Sequence, residues 1–397
     1  MKVREDPFGE LLPRILELIR RGVEDPIPDP EFNDIALDVF RFQCRTNEAY
    51  GAFVARRGTV PSGVERWEEI PFLPTRAFKS APLMAGDPAR AEAVFRTSGT
   101  TRGPEERGQH LIRSLHLYRE ALLPNFRAHL LPHGEALPVL ALVPNPKVVP
   151  DSSLSFMMGE VIETASKGRG EFFVDPERGL EAEALAEALT DAEEEGDPIL
   201  IAGTALALSH WLDTAEEEGW RYSLPDGSRI METGGFKGSG RSLGREEFYA
   251  GLAEGLGVST NRIVNEYGMT ELLSQFYEPV LVESEGLSAP STGASKASAD
   301  VGHPPLSERY HRGPPWTSTR VLHPLTLEPV SEGEVGILAH LDLANLGSVS
   351  AVLTGDLGVS VPGGFRLLGR SPEAEPRGCS LAMDEFLAAV KGDVDAF

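Results

Sequence analysis

Apolar residues recur at helical spacing from the start of the chain. Leu11, Leu12, Ile15, Leu18 and Ile19 share one face, and the run closes on Arg20-Arg21-Gly22. Cations and a glycine there suit a helix C-terminus. A second helix is predicted from Pro30 to about Arg57, with Phe32, Ile35, Val39 and Phe40 on the face that packs against the first. A third amphipathic run extends from Glu105 to Leu131 and carries Leu111, Leu115, Tyr118 and Leu122. The pattern then alternates. Leu137 to Val143, Pro198 to Ile201 and Ile230-Met231-Glu232 have the continuous apolar character of buried strands, while Glu181 to Glu195, Ala205 to Glu218 and Leu243 to Leu256 keep helical spacing. Such alternation predicts an α/β architecture with largely parallel sheets. After Glu283 the pattern dissolves into Ser, Ala and Gly through Asp300 and then a proline-rich stretch to Trp316, so 284–316 reads as a loop or insertion. Short strands at Thr319-Arg320-Val321-Leu322, Val335 to Leu341, Ala351-Val352-Leu353 and Phe365 to Leu368 then predict a β-rich subdomain over 319–369. The expected organisation is one large domain over 1–369 and a short C-terminal segment over 370–397.

Composition narrows the chemistry. The chain has 397 residues, 41% of them hydrophobic, enough for a large subdivided core. Its 61 acidic against 37 basic residues give a formal charge of −24, which repels phosphate backbones and anionic lipid over most of the surface. Nucleic acid is therefore not an expected partner. No stretch approaches the roughly 20 uninterrupted apolar residues of a membrane span. The first residues, Met1 to Asp6, are followed by no apolar run of a secretory signal. Cys44 and Cys379 are too few for a disulfide framework, so a cytoplasmic location is expected.

Four polar sites interrupt the apolar pattern. The first is Thr97-Ser98-Gly99-Thr100-Thr101-Arg102-Gly103-Pro104, just after the short apolar run Ala93-Val94-Phe95. Glycines let a backbone fold tightly, and successive amides and hydroxyls can then converge on an anion. No lysine follows Gly103, so the Walker pattern fails, and a plain turn or the N-cap of a following helix is the alternative reading. The second is Arg262 to Glu271, a buried strand running into a glycine turn that presents Tyr267, Gly268, Thr270 and Glu271. The third is Thr354-Gly355-Asp356 and the fourth Gly369-Arg370.

These sites in this order resemble the adenylate-forming superfamily of acyl-CoA synthetases, peptide-synthetase adenylation domains and firefly-type luciferases. Within it, Ile70-Pro71-Phe72-Leu73-Pro74-Thr75-Arg76-Ala77-Phe78-Lys79, the run Asn265 to Tyr277, and Glu375-Pro376-Arg377-Gly378-Cys379-Ser380-Leu381 resemble the acyl-protein synthetase (LuxE) family of bacterial fatty acid reductase systems. The resemblance implies layered αβα sheets plus a small β-rich subdomain. The segment after Arg370 departs from that pattern, being short where most relatives in the superfamily carry a full swinging domain. Ser98, Gly99, Thr100 and Thr101 would grip the phosphates of ATP, Thr270 the α-phosphate, and Glu271 a Mg2+ ion. Tyr267 and Gly268 would lie at adenine with Gly234-Gly235 passing along the base, Asp356 would accept the ribose hydroxyls, and Arg370 would touch ribose or phosphate.

Cys379 would then be the acyl acceptor. A thiolate is the nucleophile, and a neighbouring cation such as Arg377 favours it, although most lone cysteines are inert. Cys44, beside Phe40 and Phe42, reads as core. The lysine that relatives bring to the adenylation step has no clear counterpart: Lys391 is the only lysine after Arg370 and reads as a solvated tail residue. His129 and His133 are one turn apart but separated by Pro132, which argues against a metal pair. Phe236 or Met157-Met158 could line an acid tunnel or simply be core. The leading expectation is ATP-dependent activation of a fatty or other apolar acid, with the acyl group passing through Cys379 to a partner such as a fatty acid reductase. An acid–CoA ligase and a non-catalytic nucleotide-binding relative are the alternatives.

Overall fold

The alternation from Val139 onward builds a seven-stranded sheet. Its spatial order is Phe276–Tyr277, Ile263–Tyr267, Arg229–Thr233, Leu200–Thr204, Val139–Pro144, Gly170–Asp175 and Gly179–Leu180. The four inner pairings are parallel and the two at the edges antiparallel. Parallel strands are covered on both faces, which is why they carry unbroken apolar runs rather than alternation. Helices Ala182–Glu195, Ala205–Glu218 and Arg245–Leu256 supply the cover. Leu185, Leu189, Leu208, Trp211, Phe248 and Leu252 pack in one cluster with Ile201, Ile230 and Ile263 of the strands. Each such side chain contributes about 1.5–3 kcal/mol by leaving water. Thr204 closes its strand and starts the next helix, its hydroxyl accepting from the Ala207 amide at 3.1 Å.

This computed structural model describes residues 7–97, 107–234, 244–284, 286, 305–370 and 377–391. The chain forms two compact units. One comprises 1–124, 269–274 and 313–397; the other comprises 125–268 and 275–312 and contains the seven-stranded sheet.

In the first unit, strand Ala351–Val361 organises a five-stranded sheet. Val335–Asp342 runs antiparallel along one edge, with Thr317–Leu322 beyond it. The other edge is divided between two partners. Leu73–Pro74 pairs in parallel up to Leu353, and Gly364–Arg370 pairs antiparallel from Asp356 onward. Thr354 and Gly355 therefore sit where one partner strand stops and the next begins. A separate antiparallel pair, Ala93–Arg96 with Gln109–Ile112, flanks residues 98–106.

Three expectations need correction. The run predicted as one helix from Pro30 to Arg57 is two, Asp29–Thr46 and Glu48–Arg56. Asn47 ends the first and caps the second, its side chain accepting from the Tyr50 amide at 3.2 Å. The helix predicted from Glu105 begins only at Leu115; Gln109–Ile112 is a strand. Strand pairing with Ala93–Arg96 overrides the helical spacing at Gln109–Ile112. The strand predicted at Ala351-Val352-Leu353 runs on through Thr354-Gly355-Asp356 to Val361. Among the described residues no helix is long and apolar enough to cross a membrane.

Candidate active site

The Thr270-Glu271 turn is held by buried polar side chains from distant parts of the first unit. His110, on strand Gln109–Ile112, places Nδ1 2.6 Å from the Thr270 carbonyl oxygen. A carbonyl can only accept, so Nδ1 carries the proton. Burial pushes this imidazole down to about 4, which keeps it neutral at pH 7. Asn345 donates from Nδ2 to the Glu271 carbonyl at 2.8 Å and to the Val349 carbonyl at 2.8 Å. Asp342 accepts the amides of Leu273 and Ser274 at 3.0 and 2.9 Å, and the Ser274 hydroxyl at 2.8 Å. Burial raises the Asp342 carboxyl to about 6 against the pull of these donors.

None of the three holding residues is legible as such in the sequence. His110 looks like a single polar position in an amphipathic run, and Asp342 and Asn345 like turn residues after a strand. Their separation from the turn, 69 residues for Asp342 to Leu273, hides the link. Asn345 is wholly buried. Asn345→Ala strands two buried carbonyls, so a loss of about 2–4 kcal/mol in urea-denaturation stability is expected. A change below about 0.5 kcal/mol would show that the turn does not depend on this contact.

Glu271 itself is 8% exposed. Burial raises its carboxyl to about 7; the charges of Arg370 and Lys79 oppose that shift, and Asp356 adds to it. Glu271, Asp356, Arg370 and Lys79 thus form one electrostatic neighbourhood. Asp356 and Arg370 are register partners across their strands, and Arg370 Nε meets Asp356 Oδ1 at 3.2 Å. The Asp356 amide donates to the Thr354 hydroxyl at 3.1 Å.

Cys379 touches the strand that carries Asp356. It is the third residue of helix Arg377–Lys391 and is 3% exposed. Its Sγ donates to the Thr354 carbonyl at 3.4 Å, on the strand that carries Asp356. The helix start is pinned by the Gly378 amide donating to the Pro324 carbonyl at 2.7 Å. A Cβ on Gly378 would stand 2.8 Å from that carbonyl oxygen and from a Leu327 methyl, so only glycine allows the approach. Phe386, two turns further along the helix, packs edge-on against Phe53 at 6.3 Å. The side chains of Arg377 and Lys391 lie outside the described residues.

Within the second unit, Tyr267 ends strand Ile263–Tyr267 and is 7% exposed, its ring between Phe276 at 5.9 Å and His311 at 6.0 Å. Glu266 is buried, raised to about 7 by that burial, and accepts a hydrogen bond from the Thr233 hydroxyl. Gly268 faces the same carboxylate, which a Cβ would strike. Gly234 follows strand Arg229–Thr233 with φ of +90°, a turn glycine takes without strain. Glu232 of that strand is wholly buried and accepts from the Tyr249 hydroxyl at 2.9 Å.

The first unit thus brings Glu271, Asp356 and Arg370 together, with Thr270 beside Glu271 in the chain and Cys379 bonded to the strand that carries Asp356, and the second holds Gly234, Tyr267 and Gly268. Ser98, Gly99, Thr100, Thr101, Gly235 and Phe236 lie outside the described residues, as does most of 284–316. Cys44 is half-buried on helix Asp29–Thr46, with its thiol pushed up to about 12 by burial, which disfavours the thiolate. Among the described residues no group of three or more His, Cys, Asp or Glu could hold a metal ion by itself.

Comparison with solved structures defines the fold. The chain superposes on 2-hydroxyisobutyryl-CoA ligase, in an open conformation with 2-HIB-AMP and CoA, with a TM-score of 0.53 over 89% of this chain and 68% of that one, at 13% identity. A post-adenylation structure of the same ligase gives 0.52 over 88% and 69%, at 14% identity. The fold is that of an adenylate-forming ligase, α/β with mixed sheets. The family follows from the sequence: residues 25–283 match the model of the acyl-protein synthetase family LuxE, and this chain belongs to that family. It is 22% identical over 365 residues to a long-chain-fatty-acid–luciferin-component ligase of Vibrio harveyi, covering 88% of this chain and 86% of the relative. A ligase of the same description from Aliivibrio fischeri is 23% identical over 331 residues, 82% of this chain and 78% of the relative.

Proposed function

We propose that the protein activates a long-chain fatty acid with ATP and passes the acyl group through Cys379 to a partner reductase. One observation carries this reading: Cys379 Sγ bonds the carbonyl of Thr354, two residues from Asp356 on a strand whose Asp356 and Arg370 are in electrostatic contact with Glu271. A nucleophilic thiol and the carboxylates suited to a nucleotide are thus part of one unit. In the first half-reaction a carboxylate oxygen of the acid attacks the α-phosphorus of ATP and pyrophosphate leaves with the bonding electrons. In the second, the Cys379 thiolate attacks the acyl carbonyl, AMP departs, and the thiol proton passes to solvent. The bond from Sγ to Thr354 has to break before that attack.

The donor set fits Mg2+ held mainly by substrate. One buried carboxylate, Glu271, with Thr270 beside it, matches an ion that keeps water and phosphate oxygens as most of its ligands. When bound there, Mg2+ would offset charge on the departing pyrophosphate. Glu271 and Thr270 hold the α-phosphate end and Asp356 accepts the ribose hydroxyls. Ser98 to Thr101 complete the phosphate grip.

Product analysis tests the reading. With a long-chain fatty acid and Mg2+, ATP is expected to yield AMP and pyrophosphate in an acid-dependent manner. Formation of ADP and phosphate, or turnover unaffected by the acid, would contradict it.

A further inference from the structure

We propose that Lys79 is the cation that meets the β- and γ-phosphates of ATP, beside Glu271, and stabilises the departing pyrophosphate. The assignment rests on the adenylation reading above and names a residue for charge neutralisation of the leaving pyrophosphate.

Its position is fixed from three sides. Lys79 ends the turn Thr75–Lys79, which leaves strand Leu73–Pro74 where Pro74 pairs with Leu353, one residue before Thr354. Phe78, 2% exposed, anchors the turn by packing edge-on against His110 at 5.5 Å, and His110 in turn holds the Thr270 carbonyl. The stem of Lys79 lies against the other side: a Cβ on Gly108 would stand 3.4 Å from Lys79 Cγ and 3.2 Å from Thr97 Cγ2. Thr97 and Gly108 are bound to each other, amide to carbonyl at 3.0 Å and amide to hydroxyl at 2.9 Å. One imidazole therefore connects the base of the lysine's turn to the Thr270-Glu271 turn.

The charges complete the case. Glu271 feels two cations, Arg370 and Lys79. Arg370 is engaged with Asp356. Lys79 is exposed and makes no ion pair among the described residues. It is thus an ammonium with no ion pair among the described residues, on an anchored turn, whose charge acts on the carboxylate proposed to hold the phosphate-bound Mg2+. Lysine serves phosphate as a compact, mobile point charge. A lysine that merely solvates a surface turn needs neither the anchored base nor the carboxylate neighbour.

The discriminating measurement uses ligands that differ in phosphate number. Binding of Mg·ATP, Mg·pyrophosphate and AMP to the full-length protein is measured by calorimetry for wild type, Lys79→Ala and Lys79→Arg. Acid-dependent ATP–pyrophosphate exchange and the melting temperature are measured alongside. Lys79→Ala is expected to weaken ATP and pyrophosphate by about 10-fold or more, to leave AMP affinity and the melting temperature unchanged, and to lower the exchange rate by about 100-fold. Lys79→Arg recovers part of the pyrophosphate affinity. Unchanged pyrophosphate affinity in Lys79→Ala, or an equal loss for AMP, would overturn the assignment while leaving adenylation intact. Absence of acid-dependent exchange in the wild type would overturn the adenylation reading itself, and the Lys79 assignment with it.

Discussion

Cys379→Ser keeps acid-dependent ATP–pyrophosphate exchange within about twofold of wild type and abolishes covalent retention of labelled acyl groups. The two half-reactions separate because the exchange needs only the nucleotide-binding residues, whereas retention needs a sulfur nucleophile. Serine is close to cysteine in size, and its hydroxyl can donate to the Thr354 carbonyl as Sγ does at 3.4 Å. The start of helix Arg377–Lys391 therefore keeps its anchor at Gly378. A hydroxyl at neutral pH is a far weaker nucleophile than a thiolate, so the acyl-adenylate accumulates or hydrolyses instead of transferring. Equal labelling of both proteins would remove Cys379 from the mechanism. Free acyl-CoA formed on addition of coenzyme A, with no acyl-enzyme at any time, would favour an acid–CoA ligase.

Glu271→Gln lowers exchange by about 100-fold or more, since it deletes the charge that would hold Mg2+ while preserving shape. The pH dependence is more diagnostic. Burial raises the Glu271 carboxyl to about 7, so in the free enzyme it carries a proton through most of the acidic range. The ion and the proton compete for one oxygen pair, and the Mg2+ concentration needed for half-maximal exchange should rise by about 10-fold for each pH unit below 7. Glu271→Gln should lack that pH dependence. Stability moves in the opposite direction. Between the unfolded carboxylate value of 4.5 and about 7, the folded protein binds the extra proton, so its stability contribution falls as pH rises through that window. At pH 8 the buried charge costs up to about 3 kcal/mol. Glu271→Gln is thus expected to be the more stable protein at pH 8 and equal to wild type near pH 4. A variant destabilised at pH 8 would show that the carboxylate is a structural anchor.

How much of this the sequence announces depends on the range of the interaction. Helices Ala205–Glu218 and Arg245–Leu256 match the apolar spacing within two residues because their packing faces are local patterns. The break at Asn47 is a capping event inside an otherwise continuous amphipathic run, invisible to periodicity. Gln109–Ile112 is strand only because Ala93–Arg96 lies beside it. The same division holds in the candidate site. Thr270, Glu271, Asp356 and Cys379 stand out as hydroxyl, carboxylate or thiol beside glycine, against apolar neighbours. His110, Asp342, Asn345 and Lys79 do not, since what each does is decided by a partner far along the chain. A buried histidine serving one carbonyl has no local signature.

The central claim is that the activated acyl group comes to rest on one sulfur. The direct measurement is peptide mapping by mass spectrometry after incubating the wild-type protein with ATP, Mg2+ and a long-chain fatty acid. A hydroxylamine-sensitive acyl mass on the peptide that contains Cys379 is the predicted result. The same mass on the Cys44 peptide, or on no cysteine while AMP and pyrophosphate are released, would contradict it.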